Sequence, residues 1–174
     1  MKIVLMASLV AGGVAALIGL TIYMVGRRLP AEHVAQGSIL VNADIGQVAD
    51  RIRRVDLQPQ WRSQLSSVTI ESQTKGVTRY QEHSGKDRVA LALYERDEGR
   101  SFESQITDPN LPFGGRWLIE LSPEASRATL VRVREEGVVR APVYRALSKY
   151  VFGHDTTLKK YLADLAASFQ SRTD

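Results

Sequence analysis

Apolar and polar positions change period several times along this chain, and each change marks an element. Residues Ile3 to Gly26 form 24 consecutive uncharged, mostly apolar positions. At about 1.5 Å per residue a helix of that length spans roughly 36 Å, enough for a hydrocarbon core of about 30 Å. Tyr23 lies near its end, where an amphipathic ring favours the interface, and Arg27 and Arg28 follow. A cleaved signal peptide has a shorter apolar core and a small-residue cleavage site. The stretch Tyr23-Met24-Val25-Gly26-Arg27-Arg28 offers no such pair. The run therefore predicts an uncleaved, single-pass membrane anchor over residues 1–28. Lys2 and two arginines flank it on opposite sides, which leaves its orientation open. Gly12/Ala16 and Ala15/Gly19 are small-x-x-x-small pairs of the kind that lets helices approach, and equally of the kind that fills any hydrophobic segment.

Residues 29–32 form a short linker in which Pro30 bars a simple continuation of the helix. The soluble domain is expected over 33–174. His33 to Val41 reads as a strand. Asn42 and Asp44 then stand before Ile45, Val48, Ala49 and Ile52, cap-type residues preceding one helical face, and the helix breaks near Pro59. From Val68 the period becomes two. Alternating stretches around Val68, Val77–Ser84, Val89–Leu93, Phe102–Ile106, Trp117–Leu121 and Val131–Val133 are separated by Gly-containing or Pro-containing turns, which predicts an antiparallel meander. From Pro142 to Phe169 the period returns to 3.6. Tyr144, Leu147, Val151, Leu158, Leu162, Leu165 and Phe169 make one stripe, predicting a long amphipathic helix with a weak point at Gly153. The sum is an α+β domain in which a curved sheet of about seven strands is covered by the closing helix.

Composition changes this picture little. The chain of 174 residues is 44% hydrophobic and 24% charged, as one ordinary domain with an appendage would be. Its net charge of +4 belongs mostly to the anchor flanks. Setting aside Lys2, Arg27 and Arg28 leaves 20 basic against 19 acidic residues, so no broad nucleic-acid footprint is expected. There is no cysteine, which excludes disulfides, thiolate catalysis and iron–sulfur clusters. His33, His83 and His154 are too scattered to predict a metal site, and no cofactor motif is present.

On particular residues the chain resembles the START/SRPBCC superfamily, whose helix-grip fold includes lipid-transfer domains and polyketide cyclases. The resemblance covers roughly 33–170. It rests on Asn42-Ala43-Asp44, on Trp61 after Pro59, and on Leu111-Pro112-Phe113-Gly114-Gly115-Arg116-Trp117. Glu136-Gly137, Pro142, Phe152-Gly153, Thr157 and Tyr161-Leu162 complete it. Val48 is followed by Ala49 rather than by the aromatic often found there. The resemblance implies a hydrophobic cavity between sheet and long helix, hence an apolar small molecule or lipid as partner. The candidate ligand-binding residues are then Phe102, Ser104, Ile106, Trp117, Val133 and Glu135 on strands, with Leu147, Val151, His154 and Leu158 on the final helix. His154 interrupts the apolar stripe. It is either a group that orients a ligand or a histidine satisfied at the rim. Glu135 keeps the inward phase of Val131 and Val133, unless the strand ends before Gly137. The leading reading is a membrane-tethered module for a lipid, isoprenoid or polyketide-like molecule. The alternatives are a cyclase/dehydrase-type enzyme using His154 and Glu135, and a protein-interaction domain with a filled core.

Overall fold

A computed structural model describes residues 2–124, 127–153 and 155–170, with the side chains of 1–11 and 151–152 outside the description. Helix α1 spans Lys2–Arg28. Then come strand β1 (Glu32–Val41), helix α2 (Ile45–Arg53) and a 3-10 turn, Val55–Gln60. Six strands follow: β2 (Ser67–Thr74), β3 (Val77–Ser84), β4 (Asp87–Asp97), β5 (Ser101–Ile106), β6 (Phe113–Glu124) and β7 (Ala128–Val139). Helix α3 (Pro142–Leu147) runs into a π-helical turn, Ser148–Phe152, and helix α4 (Thr156–Ala167) closes the described chain.

The strands form one antiparallel sheet ordered β1-β7-β6-β5-β4-β3-β2. The meander expected from the period-two segments thus forms in sequence order from β2 to β7, and β1 returns to pair with β7. Turns at Gly76, Gly85 and Gly99 use positive φ, which glycine adopts without a Cβ penalty. At the start of α2 the backbone N–H of Asp44 donates to the Gln47 side chain at 3.2 Å. The apolar face of α2 (Val48, Ala49 and Ile52) is buried against the sheet's concave side, where Phe102, Ile119, Val131 and Val133 meet Leu158, Leu162 and Leu165.

The single long helix expected from Pro142 to Phe169 is not formed. Gly153, at φ 76°, takes a conformation no helix contains, and the chain restarts at Thr156. The physical reason is the glycine, together with the widened π turn before it. Only α4 is the grip helix. Tyr144, placed by periodicity on the buried stripe, is 50% exposed on α3.

The expected transmembrane helix is not established by the structure. Among the described residues no helix is long and apolar enough to cross a membrane. The backbone of α1 is described over 27 residues, but its described side chains begin at Gly12. Its last turn packs on the domain. Gly26 is buried against α3, where a Cβ would overlap the backbone carbonyl of Pro142. Arg145 of α3 ties the linker down by donating to the carbonyls of Leu29 (3.3 Å), Val139 (2.7 Å) and Arg140 (2.9 Å).

Candidate functional site

Helix α4 crosses the concave face over β1 and β7. It can lie close because β1 carries Gly37 beneath it, where an added Cβ would come within 2.5 Å of a Leu158 methyl. The 3-10 turn Val55–Gln60 instead packs on β2, at the opposite edge of the sheet. Between these two covers, α2 buries only part of the middle strands, Phe102 and Ile119 among them, and Leu91, Ile106 and Trp117 of β4 to β6 are left half-buried. The result is a cavity of about 280 Å³, just below the usual range for small-molecule sites.

Its apolar wall is built by Val89, Leu91 and Leu93 of β4, Ile106 of β5, and Trp117 and Ile119 of β6. These residues alternate along antiparallel strands and so share one face. Phe113 and Thr157, both exposed, mark the mouth at the end where β6 begins.

One side of the cavity is polar, and its members hold one another. Arg62, which follows the 3-10 turn, is 12% exposed and makes a bidentate pair with Glu82 of β3. It also donates to Gln58 Oε1 at 2.6 Å. Burial pulls the Arg62 pKa down, but the Glu82 carboxylate more than offsets this and the net direction is upward. The guanidinium lies 5.4 Å from the centroid of the Tyr161 ring. Tyr161 also meets Trp61 and Trp117 edge-on at 5.5 and 5.2 Å. Burial pushes the Tyr161 hydroxyl up to about 12 and raises Tyr80 further still. Both phenols therefore stay protonated, each with an O–H able to donate a hydrogen bond. Tyr80 Oη lies 3.5 Å from Ser104 Oγ.

On the opposite wall stands Glu135, since β7 remains regular through Gly137 and pairs Glu135 with Trp117 of β6. Its carboxylate is 3.6 Å from Nε2 of His33 on β1, and burial lowers the His33 pKa. His33 fits there because Gly137 faces it without a side chain.

Of the sequence-predicted ligand residues, Ser104, Ile106, Trp117 and Glu135 line this cavity. Phe102, Val133 and Leu158 are buried in the core beside it, and Leu147 is half-buried on α3, away from it. The side chain of Val151 and the whole of His154 lie outside the described residues. Sequence reading missed Gln58, Arg62, Tyr80, Glu82 and Tyr161. One signal was available: Thr78, Tyr80 and Glu82 alternate in a strand read simply as polar, and two of the three are large groups able to line an interior. Among the described residues no group of three or more His, Asp or Glu side chains could hold a metal ion.

Comparison with known proteins gives the fold its relatives. The structure is similar to a START superfamily protein from Mycobacterium smegmatis (16% identity, 79% of this chain and 97% of that one, TM-score 0.62). It is similar also to the Zhui aromatase/cyclase of a Streptomyces species (12% identity, 82% and 96%, TM-score 0.68). A Thermobifida fusca protein solved by solution NMR matches at 20% identity over 78% and 92%, with a TM-score of 0.60. At such identities the likeness establishes the fold. No curated protein matches the chain at a significant level. The family described as polyketide cyclase / dehydrase and lipid transport matches residues 32–170, nearly the whole domain, and the chain belongs to it.

Proposed function

We propose that the domain binds an apolar small molecule carrying a neutral hydroxyl or carbonyl group, and that α1 holds it at a membrane. The observation that supports this reading is the composition of the cavity. Its walls are mostly apolar, its buried cation, Arg62, is already paired with Glu82, and Glu135 adds a second carboxylate on the opposite wall. A buried cation already satisfied by a carboxylate has little left for an anionic ligand, and displacing Glu82 would leave that carboxylate uncompensated. What the site offers instead are the protonated Tyr80 and Tyr161 hydroxyls, Ser104 and the Gln58 amide. These suit one polar atom on a mostly hydrocarbon molecule. A filled, purely protein-binding core does not fit the open volume.

The tether rests on the sequence, on the 24 uncharged positions of Ile3–Gly26. An apolar ligand partitions into a bilayer, so an anchored cavity meets it at high local concentration.

Native mass spectrometry of the detergent-extracted full chain tests the binding reading. A lipid-like mass should co-purify and should be lost in Leu91→Trp, which fills the cavity. If no mass co-purifies, and Nile red binds both proteins equally, the reading is wrong.

One observation favours an enzymatic alternative: Glu135 at the cavity wall, 3.6 Å from a histidine. Several of the structural relatives bear aromatase/cyclase names. General acid–base catalysis contributes about 10²–10⁴-fold. Under this alternative Glu135→Gln abolishes turnover of a cyclisable substrate while leaving its binding intact. Under the binding reading it changes neither by more than a few-fold.

A further inference from the structure

Strand direction puts several separate features at one end of the domain. Strand β1 starts there, β7 ends there and β6 begins there, since Glu32 pairs with Val138 and Phe113 with Val139. The β5–β6 loop is bound to the end of β7. The Arg140 N–H donates to the Pro112 carbonyl at 2.7 Å, and its side chain to the carbonyls of Leu111 and Phe113 at 3.0 and 2.9 Å. Helix α3 follows at once, and α1 leaves the domain beside it at the Gly26–Pro142 contact. This end is therefore a braced platform whose position relative to the apolar helix is fixed by packing.

The platform is apolar where solvent would meet it. Phe113 is 37%, Val143 39%, Tyr144 50% and Tyr150 66% exposed. The other exposed large apolar residues described in the domain, Val34, Leu40 and Ile70, stand on the two edge strands. Around the platform lie Arg27, Arg28, Arg140 and Lys149, with the Lys149 ammonium 5.6 Å from the Tyr150 ring; Glu32, Asp108 and Asp155 are the acidic groups nearest in sequence, and Asp155 is paired with Lys159. Aromatic residues with adjacent cations suit the headgroup region of an anionic bilayer. Phe113 belongs both to this surface and to the cavity mouth.

We propose that this end of the domain, carrying Phe113, Val143, Tyr144 and Tyr150, docks on the surface of an anionic bilayer, so that the cavity opens into the lipid headgroup layer. The proposal rests on the tether reading and deepens it: the domain is not a body swinging on a leash but one seated mouth-down. An apolar ligand then passes between bilayer and cavity past Phe113 without crossing bulk water.

The chain has no cysteine, so single cysteines label cleanly. Nitroxide labels are placed one at a time at Val143, at Tyr150, and at Lys75 in the β2–β3 turn of the opposite end. The full-length protein is reconstituted into vesicles of phosphatidylcholine with phosphatidylglycerol. Labels at 143 and 150 should be several-fold less accessible to a water-soluble relaxation agent than to oxygen, while the label at 75 reads bulk water. Vesicles of phosphatidylcholine alone should weaken that protection. If the protein floats with the vesicles but 143 and 150 are as wet as 75, the docking falls and the tether stands. If the protein does not float, both fall. Equal protection on both vesicle types overturns the choice of an anionic surface.

Discussion

The two halves of the sheet's concave face are built from the same alternation of apolar residues, yet one is solid and the other hollow. Under α4, Val131 and Val133 of β7 meet Leu158 and Leu165, and none of these is more than 1% exposed. Over β3 to β6, Leu91, Ile106 and Trp117 remain only half-buried and face open space. The strands do not account for the difference, since both halves share one sheet and one pairing pattern. What differs is the cover. A glycine at 37 lets α4 settle on one side, while on the other α2 stops short of Leu91, Ile106 and Trp117, and beyond it come only a short 3-10 turn and a buried ion pair. Cavities in such folds arise where apolar positions outnumber the side chains available to cover them.

The largest expected effect breaks the hollow half. In Arg62→Met the Glu82 carboxylate loses its partner, and removing one member of a buried pair costs about 3–5 kcal/mol. Arg62→Met combined with Glu82→Leu should recover most of that loss, because no uncompensated charge remains. Denaturant titration of the detergent-solubilised protein measures both. A single change costing under about 1 kcal/mol would mean the pair is solvated and the cavity wet on that side.

Next come the leucines of the two halves. Leu158→Ala removes a fully buried side chain from the solid half and should cost about 2–5 kcal/mol. Leu91→Ala removes the same atoms from a wall that already faces a void, so it should cost less than half as much. Equal costs would erase the distinction between the halves.

The approach of α4 is tested more gently by Gly37→Ala. The new Cβ would stand 2.5 Å from Leu158 Cδ2 and 2.9 Å from Leu162 Cδ1, both ends of flexible side chains. Overpacking of this kind costs about 1–3 kcal/mol. It should be strongly non-additive with Leu158→Ala, which makes room for it. Additive stabilities would show that the helix and strand do not touch there.

This comparison also explains what the sequence disclosed. Every strand was legible because Val89-Leu91-Leu93 and Phe102-Ser104-Ile106 keep period two between turn residues, and α2 was legible from Val48, Ala49 and Ile52. The final helix was misread because the stripe from Tyr144 to Phe169 stays in phase across Gly153, and periodicity does not register a positive φ. Leu158 and Val133 were assigned to the cavity because an apolar inward residue looks the same over a void as over a helix. Arg62 and Glu82 were invisible for a different reason. They lie 20 residues apart and are joined only by the fold. Each alone reads as a solvated charge.

The smallest effect comes from a second ion pair with the same chemistry in a wetter place. Arg53 of α2 donates to Glu95 of β4 through Nε at 2.9 Å and Nη2 at 2.6 Å, and the Gly99 N–H adds a bond at 2.8 Å. Like Arg62–Glu82 it ties a covering element to the hollow half, but the Arg53 side chain is 35% exposed, so solvent screens it. The Arg53 hydrogen bond is the main reason the Glu95 pKa lies below its ordinary value. As the pH falls, the unfolded chain therefore takes up a proton at this position before the folded one does. The stabilising contribution is fully present above the unfolded carboxylate pKa of about 4.3 and is lost as the pH drops through the lower, folded value. Glu95→Gln should lower stability slightly at pH 7 and flatten the loss on acidification below pH 4, read from melting temperatures across that range. It should leave ligand binding unchanged, because neither Arg53 nor Glu95 lines the cavity. If Glu95→Gln instead weakens binding as much as Arg62→Met does, the hollow half is held open by its whole frame and not by the Arg62–Glu82 pair alone.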